Sequence, residues 1–117
     1  MASTELRAIV RFRFHDGDVE EFKRLSGLCM EIVRTQDTGT LQYDTYFNDD
    51  ETECIVLERF RDADALIQHG ENLAHLMDAI TGTGSVSGEL LGELSPEIRA
   101  RFADGGPVQL FTPWATM

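Results

Sequence analysis

Apolar and polar residues alternate from Leu6 to Phe14, with Leu6, Ala8, Val10, Phe12 and Phe14 on one side and Arg7, Ile9, Arg11 and Arg13 on the other. That pattern predicts a strand with two different faces. His15-Asp-Gly-Asp18 then supplies turn residues and a cap, and Glu20 and Glu21 stand where a helix dipole favours acids. Val19, Phe22, Leu25, Cys29, Ile32 and Val33 follow at helical spacing, so a first amphipathic helix is expected, ending before Gly39. Thr40 to Asn48 and Glu53 to Phe60 alternate again around a short polar tip, the mark of an antiparallel hairpin. Asp62 can cap a second helix whose apolar stripe reads Leu66, His69, Leu73, Leu76 and Ile80, so a histidine lies inside that stripe. Val86 to Leu94 reads as a fourth strand, with Gly88 and Gly92 suggesting close approach of something bulky. Ser95-Pro96 opens a short helix through Phe102, Gly105-Gly-Pro107 breaks it, and Val108 to Thr112 reads as a last strand.

Strand, helix, strand, strand, helix, strand is the split βαβ, or ferredoxin-like, α+β order, expected over 1–94, with 95–117 as an extension packed on the same domain or on a partner subunit. Helices can cover only one face of such a sheet. The other would expose Ile9, Ile55, Leu57 and Leu91 among Arg7, Arg11, Arg13, Arg59, Glu89 and Glu93. An apolar patch with mixed charges suggests a self-associating face, and two sheets packed around a two-fold axis would let one subunit's arginines meet the other's glutamates. A homodimer is expected, with Val108 to Trp114 packed on the partner or across the chain's own sheet edge.

At 117 residues, 42% hydrophobic and 26% charged, the chain fits one soluble domain, and no apolar run is long enough for a membrane span. Ten basic against 21 acidic residues give a net charge of −11, which repels nucleic acid and anionic lipid. Two cysteines and no leader-like N-terminus point to the cytoplasm.

There is no phosphate loop, nucleophile elbow or paired metal motif, and no metal is expected. Gly82-Thr-Gly84 follows a helix and precedes a strand, the reverse of a dinucleotide loop. Asp49, Asp50, Glu51 and Glu53 lack the spacing of a calcium loop and read as a solvated tip. His15 and His75 should face water. His69 is the chemically suggestive histidine, because Glu58 shares the helix-facing side of the sheet with Phe14, Tyr43, Phe47 and Phe60. Burial would raise its carboxyl pKa, and a nearby His and Tyr could share its proton.

Gly39-Thr-Leu-Gln-Tyr43, Val56-Leu-Glu-Arg-Phe60 and Asp62-Ala-Asp-Ala-Leu66 with His69 resemble the G-T-x-x-Y, E-x-W and A-L-x-x-H segments of the antibiotic biosynthesis monooxygenase family, in the same order, over roughly residues 5 to 94. Phe60 stands where many members carry Trp, and the tail runs past the usual domain end. The resemblance implies a dimeric α+β barrel and oxygenation of an electron-rich aromatic or quinol-type molecule without metal, flavin or other cofactor. It also implies a pocket between helices and sheet with His69, Tyr43 and Glu58 as catalytic residues and Val10, Phe14, Phe47, Phe60, Leu66 and Leu73 as its walls. A haem-degrading branch of relatives needs an Asn, a Trp and a later His where this sequence offers Val10, His69 and Ala79, so haem is not expected. The alternative is a non-catalytic small-molecule-binding dimer in which His69 only hydrogen-bonds a ligand.

Overall fold

The computed structural model describes residues 4–117. The elements run β1 (Leu6–Phe14), α1 (Val19–Gln36), β2 (Thr40–Phe47), β3 (Glu53–Phe60), α2 (Ala63–Thr81), β4 (Gly84–Leu91), α3 (Pro96–Arg101) and β5 (Val108–Phe111). They form one five-stranded sheet in the order β2-β3-β1-β4-β5. The first four strands are antiparallel neighbours, the ferredoxin-like βαββαβ arrangement expected from the alternation.

The helix starts differ in how they are capped. Asp62 accepts from the Ala65 N–H at 2.9 Å, and Ser95 accepts from the Ile98 N–H at 3.2 Å with Pro96 in the first turn. Asp18 holds the N-cap position of α1 but makes no side-chain cap bond, because its backbone is already helical (φ −97°, ψ −2°) rather than extended. β4 begins two residues earlier than its alternation suggests and ends at Leu91. The two glycines expected to admit something bulky admit other parts of the chain itself. A Cβ at Gly88 would lie 2.7 Å from the Ile9 carbonyl oxygen, and one at Gly92, where φ is +146°, would lie 2.6 Å from Leu6 Cδ2.

The core fills the space between the two long helices and one face of the sheet. Phe12, Phe22, Leu25, Cys29, Val33, Cys54, Val56, Leu73 and Ile80 form one cluster, in which both cysteines are free thiols. A second cluster gathers Leu6, Leu90 and Ile98, flanked by Phe102, Val108 and Leu110. Ile98 is fully buried, so the extension is anchored on the same sheet as the rest of the chain. β5 pairs in parallel with β4 through Gly88–Val108 to Leu91–Phe111 and covers that sheet edge. Trp114, beyond it, is exposed.

On the outer face arginines and glutamates pair within the chain. Arg11 contacts Glu89, Arg13 reaches Glu53 at 3.3 Å, and Arg59 grips Glu5 through two bonds of 2.9 and 3.0 Å. Strand register accounts for this, since Arg13 lies directly opposite Glu53 and Arg11 diagonal to Glu89. Ile55 remains exposed on that face.

Deleting residues 105–117 would uncover the edge of β4 and the Val108 and Leu110 side of the second cluster. The expected result is a lower melting temperature and more aggregation on heating than the full chain, read by differential scanning fluorimetry with light scattering. Identical melting and scattering curves would show that β5 adds nothing to the sheet.

Candidate active site

His69 sits in the middle of α2 on the stripe that α2 turns toward the sheet, and its side chain is 9% exposed. Burying an imidazole costs free energy unless its nitrogens find partners. Nδ1 lies 2.8 Å from Asp37 Oδ2, at the C-terminal end of α1. Asp37 is itself held on several sides: Oδ2 accepts from the Thr40 hydroxyl at 2.7 Å and Oδ1 from the Asn72 amide at 2.8 Å. Its side chain is 1% exposed. Burial pushes the Asp37 carboxyl up, but the hydrogen bonds from Asn72, His69 and Thr40 outweigh it and hold the group below the ordinary aspartate value. An ionised Asp37 can only accept, so Nδ1 carries the hydrogen and Nε2 presents its lone pair.

Glu58 is on β3, where alternation points it inward beside Val56 and Phe60. Its Oε1 is 3.6 Å from His69 Nε2, close but outside hydrogen-bonding distance. Burial, reinforced by the charge of Asp37, pushes its carboxyl up to about 8, so at neutral pH it is mainly the acid. Burial also lowers the His69 pKa, only partly opposed by the hydrogen bond and charge of Asp37, so the imidazole is neutral under the same conditions. Tyr43 on β2 lies opposite Glu58 in the ladder, with its ring 5.4 Å from the imidazole. Burial drives the tyrosine's pKa up, with Cys29 and Glu58 adding to the effect; its hydroxyl, in contact with the Cys29 thiol, keeps its proton.

These groups border a cavity of about 230 Å³ between the helices and the sheet. Val10, Tyr43, Glu58, Leu66, His69 and Leu73 all line it, as expected of the pocket. Phe14, Phe47 and Phe60 do not. Phe14 and Phe47 pack around Phe22, ring to ring at 4.7 and 6.1 Å, toward the hairpin end of the sheet. Phe60 is fully buried and packs its ring against His69, tilted by 56° at 5.0 Å between centroids, so it supports the imidazole rather than lining the cavity. Alternation assigns a face but not a position along the strand, hence the difference.

Three contributors were not expected. Asp37 reads as an ordinary helix stop before Gly39, and Asn72 as one more polar residue of α2. The available signal was the pairing of His69 and Asn72 at i, i+3, two polar groups on one face of a helix. The extension supplies the third: Phe102 and Val108 close one end of the cavity. His15 and His75 are exposed, as expected. Among the described residues, no group of three or more His, Cys, Asp or Glu side chains could hold a metal ion, and no helix is long and apolar enough to cross a membrane.

The class defined by this geometry is a ferredoxin-like α+β domain with an apolar pocket carrying a carboxylate-held imidazole and a buried carboxyl group. The antibiotic biosynthesis monooxygenase family model matches residues 6–77, more than half of the chain, and the chain belongs to that family. Solved structures agree on the fold. MupZ from Pseudomonas fluorescens superposes with a TM-score of 0.86 at 23% identity, covering 100% of this chain and 91% of that one, so its similarity includes the C-terminal extension. PA3566 from Pseudomonas aeruginosa matches at 0.68 and 24% identity over 81% of this chain and 99% of its own. SnoaB from Streptomyces nogalater, a cofactor-independent oxygenase, matches at 0.65 and 15% identity over 80% and 96%. No curated protein matches the chain by sequence.

The buried carboxyl makes stability depend on pH in a defined direction. Folded chains hold the Glu58 proton up to about pH 8, whereas an unfolded glutamate releases it near 4.5, so the stabilisation is complete below the lower value and is lost as pH rises through the upper one. Glu58→Gln should therefore flatten the fall in melting temperature between those two values, removing a loss on the order of a few kcal/mol. Thermal melts of both proteins across that window check this; parallel curves would show that Glu58 ionises normally.

Proposed function

We propose that this chain is a monooxygenase that works without a bound cofactor on a compact electron-rich aromatic or quinol-type molecule held in the cavity. The observation that carries the reading is the buried Asp37–His69 pair, 2.8 Å apart, which aims an unprotonated Nε2 into an apolar cavity. Family membership and the likeness to SnoaB support the same chemistry.

His69 Nε2 removes a proton from the bound ring system, and Asp37 stabilises the imidazolium that forms, as the third member of a catalytic triad does. The substrate anion is electron-rich enough to give one electron to dioxygen, and the resulting radical pair combines through a new carbon–oxygen bond. For a substrate with a reactive methylene, the carbon ends as a carbonyl and the second oxygen leaves as water with the two displaced hydrogens. All electrons taken up by dioxygen come from that carbon, so no external reductant is required. Glu58 and Tyr43, both protonated, donate hydrogen bonds to the oxygen on which negative charge develops, in a site where apolar walls keep water from competing.

The exposed Ile55, with Ile9, Leu57 and Leu91 on the same face, supports a homodimer joined through the outer face of the sheet. Light scattering at micromolar concentration should give twice the chain mass; a stable monomer would remove that interface.

Oxygen uptake with a panel of anthrones and hydroquinones, in chelator-treated enzyme, tests the activity. The expected result is uptake matched by oxygenated product, reduced by ~10²-fold or more in His69→Ala with the fold retained. A variant of lower melting temperature but full specific activity would return His69 to a packing role. No uptake with any member of the panel would leave a ligand-binding protein.

A further inference from the structure

We infer that Phe102 and Val108, brought to the cavity by the C-terminal extension, set the size of the substrate and restrict the site to hydroxylated aromatics of one ring or two fused rings. The inference deepens the function proposed above and rests on the cavity being the substrate site.

Strand register gives the cavity two ends. Glu58 on β3 pairs with Ala8 on β1, which pairs with Leu90 on β4, while Val10, Gly88 and Val108 form the adjoining row through β1, β4 and β5. All of them line the cavity. From β3 to β5 is three strand spacings, about 14 Å. The carboxyl group of Glu58 and the imidazole beside it stand at one end of this floor, and Phe102 and Val108 at the other. Between the two ends Ala8 and Gly88 project little or nothing into the space above them. Gly88 cannot be enlarged to fill that space, since its Cβ would meet the Ile9 carbonyl oxygen at 2.7 Å. The cavity therefore runs across the middle of the sheet, and the side chains that end it come from beyond β4.

Both end residues have fixed backbones. The Phe102 N–H donates to the Arg99 carbonyl at 3.3 Å, and Ile98, one turn earlier, is fully buried against Leu6 and Leu90. Val108 follows Pro107, whose carbonyl accepts from the Gly88 N–H at 3.0 Å. The side chains of Phe102 and Val108 pack on the second core cluster, so neither leaves the cavity without exposing part of that cluster. With that end closed, the volume of about 230 Å³ decides what fits. An apolar cavity of about 150 Å³ accepts a benzene molecule. The additional room suits polar substituents or one fused ring, not two. The exposed residues of the lining, Gly70, Met77 and Thr81, all lie on α2. A third ring would press on Phe102 or project beside α2 into water, and neither place returns the free energy that burial of apolar surface supplies.

Binding under strict exclusion of oxygen tests this. Phenol, 2-naphthol and 2-anthrol carry the same hydroxyl on a system lengthened by one ring at a time. The two larger ligands are titrated by their own fluorescence, and phenol by displacement of 2-naphthol. A third ring that was buried would raise affinity ~10-fold or more. The wild type should instead bind 2-anthrol no more tightly than 2-naphthol. Phe102→Ala should raise the affinity for 2-anthrol relative to 2-naphthol by ~10-fold, and Val108→Ala should shift the ratio in the same direction. Phe102→Trp should weaken 2-naphthol while phenol still binds. Tighter binding of 2-anthrol than of 2-naphthol by the wild type, an unchanged ratio in an alanine variant with the wild-type circular dichroism spectrum, or no binding of any of the three overturns the inference. No turnover is read, so size-selective binding stands even where the oxygenase assay fails. Conversely, oxygen uptake as fast with anthrones as with hydroquinones would overturn the size limit and leave the oxygenase reading intact.

Discussion

A histidine in the middle of a packed helix face needs a partner for its N–H, and the Asp37–His69 hydrogen bond supplies one at Nδ1 while Nε2 faces the cavity. The bond joins the end of α1 to the centre of α2 and so fixes where the two helices cross the sheet relative to each other. It also dictates what surrounds Asp37. A carboxylate at that depth must be matched by donors, and Thr40 at the start of β2 and Asn72 one turn along α2 supply them. Four residues from three elements converge on one point. Loss of any one donor would leave a buried lone pair unmet, at a cost of about 1–3 kcal/mol.

Glu58 is the opposite case. Nothing in its surroundings matches its charge, so the group stays neutral instead of being neutralised by a partner. An apolar residue would pack on β3 at no such cost, and its neighbours on that face, Val56 and Phe60, are apolar. A local rule broken at the wall of a cavity, next to an imidazole whose own environment is fully arranged, is the kind of inconsistency that marks function.

The sequence carried the fold because period-2 and period-3.6 patterns are strong in every long element, and the same periods place His69, Tyr43, Glu58, Val10, Leu66 and Leu73 on inward faces that meet at the cavity. Periodicity says nothing about depth along an element. Phe14 and Phe47 share the inward face but lie nearer the hairpin, where they complete an aromatic cluster with Phe22. Asp37 escaped for a different reason. Polar residues just past a helix end are so common as caps that one reaching back to a residue 32 positions away leaves no local trace. The pairing of outer-face arginines and glutamates within one sheet was likewise fixed by register, which alternation alone does not give.

The extension ties these points together. A strand parallel to β4 at the sheet edge cannot follow from it by a tight turn, so the chain must cross over, and α3 is that crossover. The crossover lays Ile98 on Leu6 and Leu90 and brings Phe102 and Val108 to the end of the cavity. Both add apolar surface to its lining. Dryness is what raises the Glu58 pKa, since burial is the leading cause of the shift, and a wetter cavity would let the group ionise beside Asp37 and His69. Residues 95–117 therefore contribute, through Phe102 and Val108, to the apolar enclosure that Glu58 also lines and in which burial holds its carboxyl above the ordinary value.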